Sequence, residues 1–115
     1  MKENEIQDRS YEFAKEVIKL VSGLPQMQIS KVLGGQVLRS GTSIGANVEE
    51  AIGAYSKNDF TNKMNIAQKE ARESNYWLRL IRDSGLVNKD KMEPIIQESE
   101  EITRILASIV KTSRQ

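Results

Sequence analysis

The chain has 115 residues, of which 38% are hydrophobic and 29% charged, and its formal net charge is +1. This length suits one domain with a single core, predicted to span residues 1–115. The sequence contains neither histidine nor cysteine, which removes the commonest general base, thiolate nucleophiles and the usual metal ligands. No catalytic residue, metal site or cofactor is therefore predicted.

The first predicted helix runs from about residue 10 to residue 22. Its apolar residues recur at spacings of three and four, which places them on one face. Gly23 and Pro25 are expected to end it, since glycine accepts the left-handed cap and proline cannot continue a helix. The predicted apolar face comprises Phe13, Ala14, Val17, Ile18 and Val21.

The second predicted helix, from about residue 30 to residue 55, contains five of the seven glycines. Each glycine costs on the order of 1 kcal/mol against alanine in a helix interior, so their presence indicates close approach of another backbone. Gly34 and Gly35 could alternatively form a loop or a kink. Periodicity does not decide whether the apolar seam faces this bundle or a neighbouring copy. The seam comprises Val37, Gly41, Ile44, Val48 and Ala51.

Two further helices are predicted, from about residue 57 to 84 and from about residue 90 to 111. Ser56 and Asp59 resemble a capping box at the start of the third helix, and Gly85 is placed to cap its end. No alternating apolar–polar segment of strand length occurs. Four amphipathic helices with short connections predict an all-α, antiparallel up-down four-helix bundle. The buried stripes are Phe60, Met64, Ala67, Ala71, Leu78 and Ile81, then Ile95, Ile102, Leu106 and Ile109.

A polar stripe on the second helix lies beside its apolar seam. It is either a solvated face or a hydrogen-bonded network at a contact between subunits, where arginine, asparagine and glutamate satisfy one another. The second interpretation predicts a homo-oligomer interface at these positions. The stripe comprises Gln36, Arg39, Ser43, Asn47 and Glu50.

The third helix carries six basic residues against three acidic ones between residues 57 and 82. One interpretation is a solvated face with local ion pairs, such as Lys69 with Glu73. The other is a phosphate-binding surface that oligomerisation would repeat. Trp77 is expected to anchor the core or an interface rather than to stack on bases. The predicted nucleic-acid contacts are Lys63, Lys69, Arg72 and Arg79.

Helices two and three carry a set of short motifs: Gln36-x-x-Arg39, the block from Arg39 to Asn47, Glu50, Lys57-x-Asp59-Phe60, Ile66-Ala67, Lys69-Glu70-Ala71-x-Glu73 and Tyr76-Trp77-Leu78. Together they resemble a known bacterial family of four-helix bundles, named for the intervening sequences of 23S ribosomal RNA genes. The resemblance covers nearly the whole chain and implies a ring-like homopentamer with no established catalytic residues. A protein related to this family is the accessory protein of diversity-generating retroelements, a pentameric bundle that partners a reverse transcriptase and contacts nucleic acid.

The sequence predicts a protein that acts by assembly and binding. The polar residues 1–8 do not resemble a signal peptide, and no apolar run approaches the roughly 20 residues of a membrane span, so a cytoplasmic protein without membrane partners is expected. The leading hypothesis is a non-enzymatic homo-oligomer that binds RNA, or an RNA-handling partner, through the third helix. The alternative is a protein-binding adaptor without affinity for nucleic acid.

Overall fold

The computed structural model describes residues 3–115, which form four α-helices joined by short turns. These are α1 (Glu3–Ser22), α2 (Gln28–Ile52), α3 (Lys57–Asp83) and α4 (Lys89–Ser113). No strand occurs in this part of the chain. The all-α prediction is confirmed. The molecule measures 44 × 21 × 18 Å, so its length is that of one long helix.

The helices form a closed square in chain order. α1 packs on α2, α2 on α3, α3 on α4, and α4 returns to α1, whereas no Cα atoms of the diagonal pairs lie within 8 Å of each other in the described residues. Glu50 pairs with Lys63 and Ser40 with Ser74, so residue numbers rise along α2 as they fall along α3. The other three seams show the same opposed numbering. The predicted up-down, antiparallel bundle is therefore what the structure contains.

Each helix contributes one stripe of apolar side chains to a single core, as the three–four spacing predicts. The predicted seam of α2 is buried throughout. One predicted core residue is wrong: Ile18 is 48% exposed. Its neighbour Val17 is fully buried at the contact with α2, and this turns the next side chain outward. The buried apolar residues of α1 are Ile6, Phe13 and Val17.

The first helix begins at Glu3 rather than near residue 10. Ile6 and Ser10 are both fully buried, and they extend the inward stripe of α1 by two turns. The Ser10 hydroxyl donates to the carbonyl of Gln7 over 3.1 Å, which satisfies this polar group inside the bundle. A stripe with only one apolar residue in its first turns gives little periodic signal, and this explains the late predicted start.

The glycines of α2 let α1 approach closely. A Cβ at Gly41 would lie 2.9 Å from a methyl of Val17, and one at Gly34 would lie 3.1 Å from Leu24. α2 is continuous from residue 28 to residue 52, so the alternative of a loop or kink at Gly34 and Gly35 is wrong. The seam around Gly41 therefore faces this bundle. A Cβ at Gly35 would meet nothing within 4 Å.

The predicted caps of α3 are confirmed. Ser56 is the N-cap, and its hydroxyl accepts from the N–H of Asp59 over 3.0 Å. Gly85 follows the last residues of the helix with φ +78°, the left-handed conformation that ends helices. The cap at Ser56 therefore fixes the residue at which α3 begins. None of the helices, over residues 3–115, is long and apolar enough to cross a membrane.

Candidate nucleic-acid interface

The four predicted nucleic-acid contacts do not lie on one face of α3. Lys63 projects toward α2, where its Nζ lies 3.5 Å from a carboxylate oxygen of Glu50. Arg72 and Arg79 project toward α4 and line one groove with residues of that helix. Lys69 is exposed on the outer side of α3. The structure thus brings Arg72 and Arg79 together, places Lys69 beside them, and separates Lys63 from all three.

The groove between α3 and α4 has a volume of about 340 Å³ and contains three guanidinium groups. Hydrogen bonds fix one wall: Arg79 Nε donates to Asn75 Oδ1 over 2.8 Å, and Asn75 Nδ2 donates to Ser99 Oγ over 2.9 Å. Because Ser99 belongs to α4, this chain of hydrogen bonds spans the seam. The residues lining the groove are Arg72, Asn75, Arg79, Glu100, Thr103 and Arg104.

Arg79 also lies against an aromatic ring. Its guanidinium carbon is 5.8 Å from the centre of the Tyr76 ring, within the range of a cation–π contact. Tyr76 in turn meets Trp77 edge to face at 5.0 Å between ring centres. Asn75 and the Tyr76 ring therefore both hold this exposed arginine in place.

Lys69, Arg72 and Arg79 form no ion pair with any residue of the described range, 3–115, although Arg79 Nε donates to the neutral side-chain amide of Asn75. The local pair of Lys69 with Glu73 is wrong, since Glu73 accepts instead from Arg39 and from Trp77. A guanidinium without a carboxylate partner keeps its full set of donors for a ligand. Arg72 is therefore the strongest single anion-binding group in the groove.

Arg104 is the cation of this groove that is absent from the predicted nucleic-acid contacts. It joins the groove from α4 and donates to Glu101 over 2.6 Å. This hydrogen bond raises the pKa of Arg104 and lowers the pKa of Glu101. In the sequence, only the charge of Arg104 points to this role. The residues of α3 that it lies beside depend on how α4 packs on α3.

The polar stripe of α2 lies along the edge between α2 and α3, and its partners are in the same chain. Arg39 forms ion pairs with Glu73 and, over 3.3 Å, with Glu70. The Nε1 of Trp77 donates to the same Glu73 carboxylate over 2.9 Å. The tryptophan is half-buried and anchors this edge.

The remaining residues of the stripe bond along α2 or across to α3. Ser43 Oγ donates to the carbonyl of Arg39 over 2.7 Å, and Asn47 Nδ2 donates to the carbonyl of Ser43 over 2.8 Å. Glu50 meets Lys63, and Gln36 is half-buried. Intramolecular bonds therefore engage much of the stripe, and its contact with a second copy stays a prediction.

The described residues hold no cluster of three or more acidic side chains that could bind a metal ion. The chain has no histidine or cysteine to supply such ligands. What the surface offers is a set of guanidinium, ammonium and amide donors beside one aromatic ring. This combination suits phosphate groups, which accept several charge-assisted hydrogen bonds at once.

Comparison with known proteins assigns the chain to a family. A family model described as 23S rRNA-intervening sequence protein matches residues 2–108. A crystal structure at 1.70 Å of a protein with unknown function, from the S23 ribosomal protein family of Bacteroides thetaiotaomicron VPI-5482, is 46% identical. The alignment covers 96% of this chain and 99% of that one, with a TM-score of 0.90. No curated protein matches the chain.

Proposed function

The chain belongs to the family of 23S rRNA-intervening sequence proteins, and from this premise we propose that it is a non-enzymatic, cytoplasmic homo-oligomer that binds RNA. The RNA contact is the outer side of α3 together with the α3–α4 groove. The observation that carries the proposal is the grouping of Lys69, Arg72 and Arg79, none of which has a carboxylate partner in residues 3–115. The family description names no enzymatic activity, and the related crystal structure is of a protein with unknown function.

The low net charge makes repetition of the surface necessary. A monomer with a formal net charge of +1 attracts a polyanion such as RNA only weakly. The attraction must therefore come from the local group of cations on α3. Each phosphate neutralised by lysine or arginine contributes a salt-dependent share of the affinity. A ring of copies presents the α3 surface several times to one RNA, which raises the apparent affinity without any new contact.

The proposed contact between copies uses the outer edge between α2 and α3. Apolar side chains stay exposed along this edge, on the same helices as the Arg39–Glu73 pair, including Val32 at 51% and Leu80 at 37%. A neighbouring copy would cover these side chains and complete the partly satisfied polar stripe. The family resemblance adds the expectation of five subunits, and a mass five times the 13.0 kDa of the chain tests it.

The first experiment is light scattering of the protein with and without a structured ribosomal RNA fragment. We expect a homo-oligomer whose mass increases when RNA is added and reverts between about 50 and 200 mM salt. A mass that RNA leaves unchanged would overturn the RNA proposal. A monomer would overturn the proposed assembly.

A matched pair of variants locates the contact. Substituting Lys69, Arg72 and Arg79 with glutamine is expected to weaken binding strongly and to reduce the slope of log affinity against log salt by about 0.7–0.9 for each phosphate that the variant no longer binds. Lys63→Gln changes the charge on the same helix but on the flank that faces Glu50. It should therefore have little effect. If Lys63→Gln reduced the affinity for RNA as much as the triple variant does, the proposed position of the RNA contact would be contradicted.

The exposed apolar residues of the α2–α3 edge also favour a second candidate, a protein-binding adaptor. A helix from a partner could cover Val32 and Leu80, which are 51% and 37% exposed. Co-purification of a partner that survives nuclease treatment, combined with loss of that partner in a Val32→Ser variant, would support the adaptor and argue against RNA as the ligand.

A further inference from the structure

The turn between α2 and α3 presents an aromatic side chain that its own chain does not cover. Tyr55 has a relative exposure of 103%, compared with 62% for Tyr11 and 48% for Tyr76. Tyrosine ordinarily covers a large part of its ring against neighbouring residues. Nothing in the packing of this bundle accounts for a bulky ring at this position.

The ring is carried by a short and well-anchored turn. On one side, the N–H of Ala54 donates to the carbonyl of Ala51 over 3.1 Å, which ties the turn to the end of α2. On the other side, Ser56 caps α3 through the N–H of Asp59. The turn is therefore anchored on both sides of Tyr55. A ligand that stacks on the ring would not need to order the protein backbone first.

The last turns of α4 bring two unpaired cations to this end of the bundle. Lys57 Nζ donates to the main-chain oxygen of Gln115 over 2.9 Å, and Thr61 bonds Ser113, so the last turns of α4 lie beside the first turn of α3. Lys111 and Arg114 are exposed on this part of α4 and form no ion pair within residues 3–115.

The acidic residues near this end are mostly engaged, and the last turns of α4 carry none. Residues 102–115 contain no aspartate or glutamate, and residues 51–69 contain only Asp59. Glu50 is engaged by Lys63 and Glu49 accepts from Gln7 over 2.7 Å, while Glu5 lies on α1, which packs on α2 and α4. The attraction for an anion therefore comes from Lys111 and Arg114.

An exposed ring face at the same end of the bundle as two unpaired cations fits single-stranded nucleic acid. Every base has a face that stacks on an aromatic side chain, and the adjacent backbone phosphates need cations. In a duplex the base faces are already covered by neighbouring pairs, so protein recognition turns to loops, bulges and ends. A peptide partner would use the aromatic ring but would not need the unpaired cations.

We propose that the end of the bundle formed by the α2–α3 turn and the last turns of α4 binds an unpaired RNA base, with Tyr55 as its stacking platform and Lys111 and Arg114 as its phosphate contacts. This rests on the proposed RNA-binding function and adds to it a second contact point and a preference for unpaired nucleotides. In this arrangement the α3–α4 groove binds the RNA sugar–phosphate backbone, and the Tyr55 end selects RNA that has an unpaired base.

The test compares two probes, a labelled single-stranded RNA of about 12 nucleotides and a blunt duplex of the same length. Tyr55→Ala is expected to weaken single-strand binding about ten-fold and to leave duplex binding unchanged. Tyr55→Phe keeps the ring and should bind as the unaltered protein does. Lys111→Gln combined with Arg114→Gln should weaken both probes and reduce the salt dependence of both.

Tyr11→Ala is the matched control, because Tyr11 is also exposed but lies on α1, away from the proposed site. The Lys15 ammonium lies over its ring. It should leave both affinities unchanged. Single-strand binding that is salt-dependent but equal in Tyr55→Ala and Tyr11→Ala would overturn this inference and leave the proposed function intact. An unaltered protein that binds neither probe would overturn both proposals.

Discussion

At the scale of single residues, the glycines of α2 differ in what they do. Gly41 gives room to the branched side chain of Val17, whose two methyls and Cβ would all lie within 3.3 Å of an added Cβ. Gly35 points to solvent and makes no such contact in this chain. The same residue type is therefore required by packing at one position and carries only a conformational cost at the other.

Alanine substitutions at these two glycines are expected to act in opposite directions. Gly41→Ala overpacks against a stiff, buried valine, and this outweighs the better helix propensity, lowering the free energy of unfolding by about 1–2 kcal/mol. Gly35→Ala should raise it by up to about 1 kcal/mol. Denaturant unfolding at one fixed protein concentration measures both, and shifts of the same sign would contradict the close contact seen at Gly41.

At the scale of whole helices, the N-termini are unequally capped. The side chains of Ser56 and Asn88 accept from backbone N–H groups of α3 and α4. Met27, the N-cap of α2, has the extended backbone typical of a cap, but its side chain makes no capping hydrogen bond. The first N–H groups of α2 therefore have no side-chain acceptor from that residue.

A capping side chain at Met27 should stabilise the bundle. We expect Met27→Asp to raise the free energy of unfolding by about 1 kcal/mol, and Ser56→Ala to lower it by about the same amount. Gln26→Asp introduces the same charge one residue earlier without the capping geometry. Thermal and denaturant unfolding of the three variants separates the cap from the charge, and equal gains at Met27 and Gln26 would leave only the helix dipole as the cause.

The helices could be predicted from the sequence because apolar spacing, Ser56 and Gly85 are all local signals. The first two turns of α1 could not, because Ser10 stands where an apolar residue would continue the stripe. Buried hydroxyl groups were missed for the same reason. Ser74 donates to Ser40 over 2.9 Å between α3 and α2, and each is fully buried. Such small polar residues resemble surface residues until a partner helix is placed against them.

The candidate site could be predicted only in part. Periodicity gives the angle between two side chains on one helix, but it does not tell which neighbouring helix lies on which side. Lys63 and Arg72 were therefore grouped, although α2 lies against one and α4 against the other. Arg104 entered the site for the complementary reason, since its position beside Arg72 depends on the docking of α4.

At the scale of the whole molecule, the four seams are unequal, and the contact between α1 and α4 is the smallest. A two-pronged ion pair holds this seam: Arg9 donates to both carboxylate oxygens of Glu98, over 3.0 and 2.7 Å. This hydrogen bonding raises the pKa of Arg9. The pair favours the charged arginine and fixes how α1 closes the square.

The stability of the bundle should be independent of pH near neutrality and should decline in acid. The chain has no histidine, so no side chain titrates near its ordinary value between about pH 6 and 8. Hydrogen bonds from Arg82 and Arg104 lower the pKa of Asp83 and of Glu101 from their ordinary 3.8 and 4.5. Folding therefore favours the charged carboxylates, and this contribution is present above those values and lost as the pH falls through the lowered ones.

Denaturant unfolding across this range checks the expectation. Because both carboxylates are exposed, each contributes little, and the decline below about pH 4.5 should be shallow and weaker at high salt. In an Arg104→Gln variant the part due to Glu101 should disappear. A loss of stability between about pH 6 and 8 would contradict the account.

The up-down order of an even number of helices brings residues 3 and 115 to the same end of the molecule, the end that carries Tyr55. The turn after α1 and the turn at Gly85 lie at the opposite end. A circular permutant opened at Gly85 would therefore keep all four helices and their seams while moving its new ends away from the proposed RNA surface. The same geometry makes Gly85 the position at which a fluorophore or an affinity handle leaves that surface unobstructed.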